Sequence, residues 1–187
     1  MNKRIIIGIT GASGFIYGAR LLELLHDTPY ETHLVVSKAA QQTRAIESNL
    51  SAKELYALAD YHYAIDNIAA PIASGSYPIM GMIIAPCSMS TLANIAMGNS
   101  NNLLTRAADV TLKERRKLVL MARETPLHLT HLENMLKLSK MGAIIAPPVP
   151  AFYNHPASID DLVNHNVGRV LDLFDIDVNI VKRWEKP

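Results

Sequence analysis

The chain has 187 residues, 18 Lys and Arg against 17 Asp and Glu, and 49% hydrophobic side chains. That length suffices for one domain with a closed hydrophobic core, and the balanced charge argues against a polyanion-binding surface, so no nucleic-acid partner is expected. Cys87, the single cysteine, rules out an internal disulfide and every CxxC metal or redox motif.

No apolar run approaches the roughly 20 residues that cross a bilayer, and no charged leader or cleavage site precedes the first strand. A soluble, cytoplasmic protein with no membrane partner is therefore expected. In chain order, "KRIIIGIT" reads as a buried β-branched strand, followed by a glycine turn and a helix over about residues 14–26. "ETHLVVS" is the next strand and "KAAQQTRAIES" the next helix. "SAKELYALAD" is a short helix whose Ser51 and Glu54 have capping-box spacing. Residues 61–78, with two prolines, a glycine and several small residues, read mostly as loop. It is long for a connection inside a compact domain, which points to partial structure or function.

"GMIIAPCS" is a third buried strand that turns into the helix "CSMSTLANIAM". The amphipathic helix "NNLLTRAADVTLKERR", strand "KLVLMARE", helix "LHLTHLENMLKLSKMG", strand "AIIAPPV" and a helix over about residues 158–174 complete the order. Nearly unbroken Val/Ile/Leu strands alternating with helices predict a parallel sheet covered on both faces. The expected fold is α/β, a single doubly wound, Rossmann-like or flavodoxin-like domain over residues 1–187. From about residue 175 the chain reads as a surface extension or an arm onto a neighbour.

Ligands of such sheets bind beyond the carboxyl ends of the strands. The candidates there are Gly11 to Gly14, Ser37 with Lys38, Cys87 to Thr91, Arg123 with Glu124, and the stretch ending at Tyr153. "TGASGFI" resembles the opening of the extended short-chain dehydrogenases, but Tyr17 stands where that pattern needs glycine, and no tyrosine is followed four residues later by lysine. The second strand ends in Ser37 and Lys38, which suit an anion and not a ribose hydroxyl. Tight strand-to-helix packing alone would explain Gly8, Gly11 and Gly14. Ser13 and a fresh helix N-terminus beside them favour a bound phosphate.

Arg106, Asp109 and Lys113 share one helix face by spacing, and most of "KERRK" is an ordinary solvated face. Arg123 and Glu124, placed directly after an apolar strand, fall on the expected active edge. His128 and His131 have helical spacing, yet without HExxH or a cysteine ligand they read as surface or capping residues, and no metal is expected. "PPVPAFYNHP" is stiffened by its prolines; it either packs on the sheet edge or forms a rigid wall presenting Tyr153.

Together "GITGASGFIYGARLL", "THLVVSKAA", "ASGS", "APCSMSTLANIA", "NNLLTRAADVTLKERRKLVL", "RETPLHLTHLENMLKLSKMGA" and "PPVPAFYNHP" resemble the UbiX flavin prenyltransferase family over nearly the whole chain. The resemblance implies a metal-free enzyme that joins a dimethylallyl group, from dimethylallyl monophosphate, to reduced FMN. It implies prenylated FMN as the product, used by UbiD-type decarboxylases in ubiquinone synthesis or aromatic acid decarboxylation, and a homododecamer with sites at subunit contacts. It places flavin contacts on Gly11, Ala12, Ser13, Ser37, Ser88, Met89, Ser90, Thr91 and Arg123, and prenyl-phosphate contacts on Tyr153 and Arg169. Ser13, Arg106, Lys113 and Glu124 match active-site positions, with Glu124 as the proton shuttle. Ser90 stands where many relatives carry lysine or glycine. Two other readings remain open: an FMN carrier that leaves the flavin unaltered, and a flavoenzyme like phosphopantothenoylcysteine decarboxylase.

Overall fold

The computed structural model describes residues 3–184. Six strands, β1 (Arg4–Ile9), β2 (Glu31–Val36), β3 (Tyr61–Tyr63), β4 (Gly81–Cys87), β5 (Lys117–Ala122) and β6 (Ile144–Ile145), form one sheet in the order β3-β2-β1-β4-β5-β6. All pairings are parallel. Side chains alternate across the sheet, as a period of two requires. Ile5, Ile7 and Ile9 of β1 enter one core, which the helices α1 (Phe15–Leu25) and α7 (Ile159–Asp172) cover. Ile6 enters the other, beneath α4 (Met89–Ala96) and α5 (Leu103–Lys113). Two covered faces explain why the strands read as continuous apolar runs.

The remaining helices are α2 (Lys38–Glu47), α3 (Ala52–Ala57) and α6 (Leu129–Met141). The capping box expected at Ser51 and Glu54 is present. Residues 61–78 are not all loop: they hold β3, which pairs with β2, and a 3-10 turn at Pro71–Ala73. The strand expected in "AIIAPPV" is only two residues long, because the prolines that follow cannot donate to a ladder. Beyond α7 the chain turns back over the same helix. Val181 and Ile180 approach Gly168 so closely that a Cβ there would meet Val181 Cγ2 at 2.4 Å.

Strands are added outward from β1 through β2 to β3, and then from β4 through β5 to β6. The switch point lies between β1 and β4, where such sheets open a crevice at the carboxyl ends of the strands. Thr10 fastens that crevice: its hydroxyl donates to Pro86 O at 2.7 Å and accepts from Ser88 N–H at 2.8 Å.

On the side of the sheet carrying β2 and β3, the buried His33 lies stacked with Tyr61 and Tyr63 and edge-on to Tyr77. Its Nε2 is 2.9 Å from Glu31 and its Nδ1 is 2.9 Å from the Tyr63 hydroxyl. An ionised carboxylate only accepts, so Nε2 carries the proton and Nδ1 accepts from the phenol. Burial pushes the imidazole below its ordinary pKa, against the opposing pull of Glu31. The Glu31 carboxyl, which burial pushes up, is held low by hydrogen bonds from Arg4 and His33. Both shifts act in one direction. As pH falls below about 6.5 the unfolded chain binds a proton that folded His33 resists, and stability declines. Glu31 adds its own loss as pH falls further, through its depressed pKa. Thermal midpoints of the native protein and of His33→Gln between about pH 7 and 5 test this; the variant should show the flatter dependence, and parallel curves would remove His33 from the effect.

Candidate functional site

Three helices begin around one cavity at the carboxyl edge. Ser37 caps α2 by accepting from Ala40 N–H, Ser88 caps α4 by accepting from Thr91 N–H, and Asn102 caps α5 by accepting from Thr105 N–H. Ser37, Lys38, Thr91, Asn102 and Thr105 line a cavity of about 350 Å³ that also touches Asp66 and Asn94. Helix N-termini with free N–H groups attract anions, and Lys38 adds a full charge. A phosphate fits this corner. The Ser37 cap hydroxyl keeps its own proton to donate, while that of Ser88 donates to the Thr91 hydroxyl at 3.1 Å.

The glycine turn behaves differently from the sequence expectation. The N-terminus of α1 is already answered from within the chain: Gly14 N–H and Phe15 N–H donate to the Glu47 carboxylate at 2.8 and 2.9 Å. Burial raises the Glu47 pKa, but hydrogen bonds from Ser13, Phe15 and Gly14 and the charge of Arg123 hold it below its usual range. A second anion at these two N–H groups would face a carboxylate. The α1 start is thus answered by Glu47, whereas residues at the starts of α2, α4 and α5 line the cavity. Gly14 is the αL residue that aims the turn, with φ of 100°.

Gly11, Ala12 and Ser13 follow β1 directly, and a Cβ on Gly11 would meet the Ala39 Cβ at 2.4 Å, so only glycine lets the turn lie against the start of α2. Ser88, Met89, Ser90 and Thr91 form the neighbouring turn after β4; Met89 is buried and Ser90 is exposed. Arg123 follows β5 at the same edge, its backbone N–H donating to Cys87 O at 3.1 Å. Its charge reaches Tyr17, whose phenol burial pushes up and Arg123 pulls down, and Glu47. Glu124 follows, exposed, its carboxylate accepting from Thr125 N–H at 3.0 Å.

Four residues named by the sequence lie elsewhere. Arg106 and Lys113 do share a face of α5, and both rest on the loop after Ala70: Arg106 Nε donates to Ala73 O at 3.2 Å, and Lys113 Nζ reaches the space beside Gly75. Each is paired, Arg106 with Asp109 at 3.0 Å and Lys113 with Glu114. Lys113 sits before β5, whereas Glu124 lies just beyond it, so the six residues of that strand, about 20 Å of chain, separate them. Tyr153 and Arg169 form a third set. With Val181, Arg183 and Trp184 they line a recess of about 280 Å³, where Tyr153 meets His165 and Trp184 edge-on and Arg169 binds Asp172 at 2.7 Å. Among the described residues no hydrogen bond or ion pair joins one set to another.

Sequence reading missed Glu47, Tyr17 and Asn102. Glu47 ends a helix in the unremarked "AIES", and only the return of α2 over the glycine turn brings its carboxylate to Gly14. Asn102 carried a signal, an N-cap residue three positions before Thr105 at the start of an amphipathic run. His128 is exposed at the N-cap position of α6 without a side-chain cap bond, and its ring stacks at 3.5 Å on that of His131, which is half-buried against the protein and not on the surface. Among the described residues no three His, Cys, Asp or Glu side chains gather as a metal cluster would, and no helix is long and apolar enough to cross a membrane.

Comparison with known proteins identifies the family. The flavoprotein family matches residues 1–171. The flavin prenyltransferase UbiX of Neisseria meningitidis serogroup B is 56% identical over 185 residues, covering 99% of this chain and 98% of that protein. The crystal structure of AnUbiX (PadA1) in complex with FMN and dimethylallyl pyrophosphate superposes with a TM-score of 0.97 at 49% identity, covering 100% of this chain and 99% of that one. The dodecameric FMN-dependent UbiX-like decarboxylase from Escherichia coli O157:H7 follows at 0.96 and 51%, covering 98% of this chain and 100% of that one. A phosphate-receptive ring of helix starts, the Arg123–Glu124 strand end and near full-length identity above one half place this chain in the flavoprotein family, among its UbiX-type flavin prenyltransferases.

Proposed function

We propose that the protein transfers a dimethylallyl group from dimethylallyl monophosphate to reduced FMN and releases prenylated FMN, with dodecamer formation completing the site. The observation that carries this reading is the cavity ringed by the α2, α4 and α5 starts at the carboxyl edge of the sheet, the edge at which β5 ends ahead of Arg123 and Glu124. Ser37, Ser88, Thr91 and the adjacent N–H groups hold the FMN phosphate, with Lys38 balancing its charge. Gly11, Ala12 and Ser13 border the ring system, Met89 and Ser90 approach it from the turn after β4, and Arg123 closes its far side. Bound reduced flavin supplies the electron-rich nitrogen and neighbouring carbon that are alkylated.

The allyl donor leaves an inorganic anion behind, and without a metal that charge needs fixed cations and hydroxyls. Arg106, Lys113, Tyr153 and Arg169 have the right chemistry, yet within one chain they form two sets remote from the carboxyl edge. Neighbouring copies bring them to it. Ser13 donates toward the reacting centre, as it now does to Glu47. Glu124 takes the proton that ring closure releases, a role open to an exposed carboxylate that is in no ion pair among the described residues. The product serves a UbiD-type decarboxylase in the cytoplasm.

Anaerobic incubation with reduced FMN and either dimethylallyl monophosphate or the diphosphate, followed by mass measurement of the extracted flavin, tests the proposal. A gain of one isoprene unit is expected, with the monophosphate preferred. Unchanged flavin under verified reducing conditions would overturn the transfer and favour a carrier.

A further inference from the structure

Arg116 follows the end of α5 and is half-buried, unlike the exposed Lys113, Glu114, Arg115 and Lys117 around it. The helix closes with Arg115 in the left-handed region at φ 57°, and the next backbone N–H, that of Arg116, donates back to Thr111 O at 2.9 Å. That closure fixes the base of the Arg116 side chain to the same helix end that carries Lys113. Its guanidinium spans two carbonyls of the loop ahead of β4: Nη1 donates to Tyr77 O at 2.9 Å and Nη2 to Gly75 O at 2.8 Å. A planar fork with fixed N–H directions holds two acceptors at a set separation. Arg106 Nε takes Ala73 O at 3.2 Å, the next alternate carbonyl. Among the described residues no other hydrogen bond holds the carbonyls of Gly75 and Tyr77.

The clamped loop is the wall against which Lys113 stands. A Cβ on Gly75 would sit 2.7 Å from Lys113 Nζ and closer still to Glu114 Oε1. Lys113 Nζ is in turn tied to Glu114. The place of Gly75 therefore limits where the ammonium can lie, and Arg116 fixes the place of Gly75. We propose that Arg116 is a positioning residue that sets the Lys113 ammonium for the allyl phosphate by clamping the loop at Gly75 and Tyr77. The role rests on the transfer reading above, in which Lys113 captures that phosphate. Lysine in place of Arg116 keeps the charge but has no planar fork with which to hold two carbonyls at once.

Steady-state kinetics of the intact protein with saturating reduced FMN and varied dimethylallyl monophosphate test the role, comparing native protein with Arg116→Lys, Arg116→Gln and Gly75→Ala. Both Arg116 variants should raise KM for the allyl donor about 10- to 100-fold, the scale of displacing a binding group by roughly 1 Å. Their FMN affinity and circular dichroism should match the native protein. Gly75→Ala leaves Arg116 in place and meets only the ends of two flexible side chains, so the fold tolerates it while the ammonium must shift. It should raise the same KM. A native KM in Arg116→Lys would make charge and not the fork responsible, and would overturn the clamp. FMN affinity that falls in step with use of the donor would mean a general loosening of the fold and would overturn it as well. Should neither Arg116 variant fold, Gly75→Ala decides alone, and a native KM there would overturn the coupling of the loop to Lys113. Native protein that adds no isoprene unit to the flavin would sink the transfer reading and this role with it. Active native protein beside variants of unshifted KM would sink the role alone.

Discussion

Glu124→Gln is expected to bind FMN as the native protein does and to lose about 10²–10⁴-fold in the rate of finished product, the usual loss when a positioned proton-transfer group is removed. The amide keeps the shape of the side chain but cannot take a proton. Its neighbourhood tolerates the change, since Glu124 is exposed and, among the described residues, its carboxylate is held by Thr125 N–H alone. Flavin titration together with single-turnover product analysis separates the two effects, and native product rates would exclude Glu124 from the chemistry. The same variant reads the sharing of sites between copies. Lys113→Ala should be inactive for a different reason, because it weakens capture of the allyl phosphate and spares FMN. Lys113 and Glu124 stand at opposite ends of β5, so a mixed assembly of the two inactive variants pairs an intact Glu124 edge with an intact Lys113 from a neighbour. Activity should return in co-expressed mixtures and stay absent in either pure variant. Mixtures that remain inactive would overturn the sharing of sites between copies and place Lys113 and Glu124 in the site of one chain.

Gly18→Ala should lower stability by about 1–3 kcal/mol, the range for overpacking a filled interior. Gly18 lies on the buried face of α1, where a Cβ would sit 2.4 Å from Ala85 O and 2.7 Å from Ile9 Cδ1. Alanine is the better helix former by about 1 kcal/mol, so the contact has to outweigh that gain. It does so because a backbone carbonyl in a central strand cannot swing aside as a side chain can. Displacing it disturbs the Pro86 carbonyl that Thr10 binds, and with it the crevice between β1 and β4. Thermal unfolding should therefore shift downward by several degrees and FMN affinity should fall with it. An unchanged midpoint would mean that α1 can slide on the sheet.

The layered fold was legible because its signals are local. Apolar β-branched runs gave β1, β2, β4 and β5 to within two residues, and Ser51, Ser158 and Asn102 mark helix starts by the same side-chain chemistry that caps them. β3 was hidden because Tyr61–Tyr63 is too short to show a period. The placement of the candidate residues on the sheet was legible in pieces. Residues that follow strands, such as Gly11, Ser37, Ser88 and Arg123, meet because parallel strands end together, and strand ends can be read from sequence. Glu47 cannot be read this way, since its role depends on how α2 folds back. Neither can the separation of Lys113, Tyr153 and Arg169 from the carboxyl edge, which follows from sheet order and from which end of a helix a residue occupies. The leucines of α6 misled in another sense: Leu132 and Leu138 look alike in the sequence, and only the direction of the helix against α4 distinguishes the exposed one from the buried one.

Cys87 ends β4 directly before the turn proposed to border the flavin, yet it is wholly enclosed and its thiol is pushed up to about 12 by burial. Sulfur nucleophiles react as the anion, and at neutral pH this one keeps its proton. An allylic electrophile released a few residues away thus meets no competing thiolate, and the protein is spared alkylation of itself. Moving a cysteine to the exposed Ser90 position would forfeit that protection and make the catalyst a victim of its own donor.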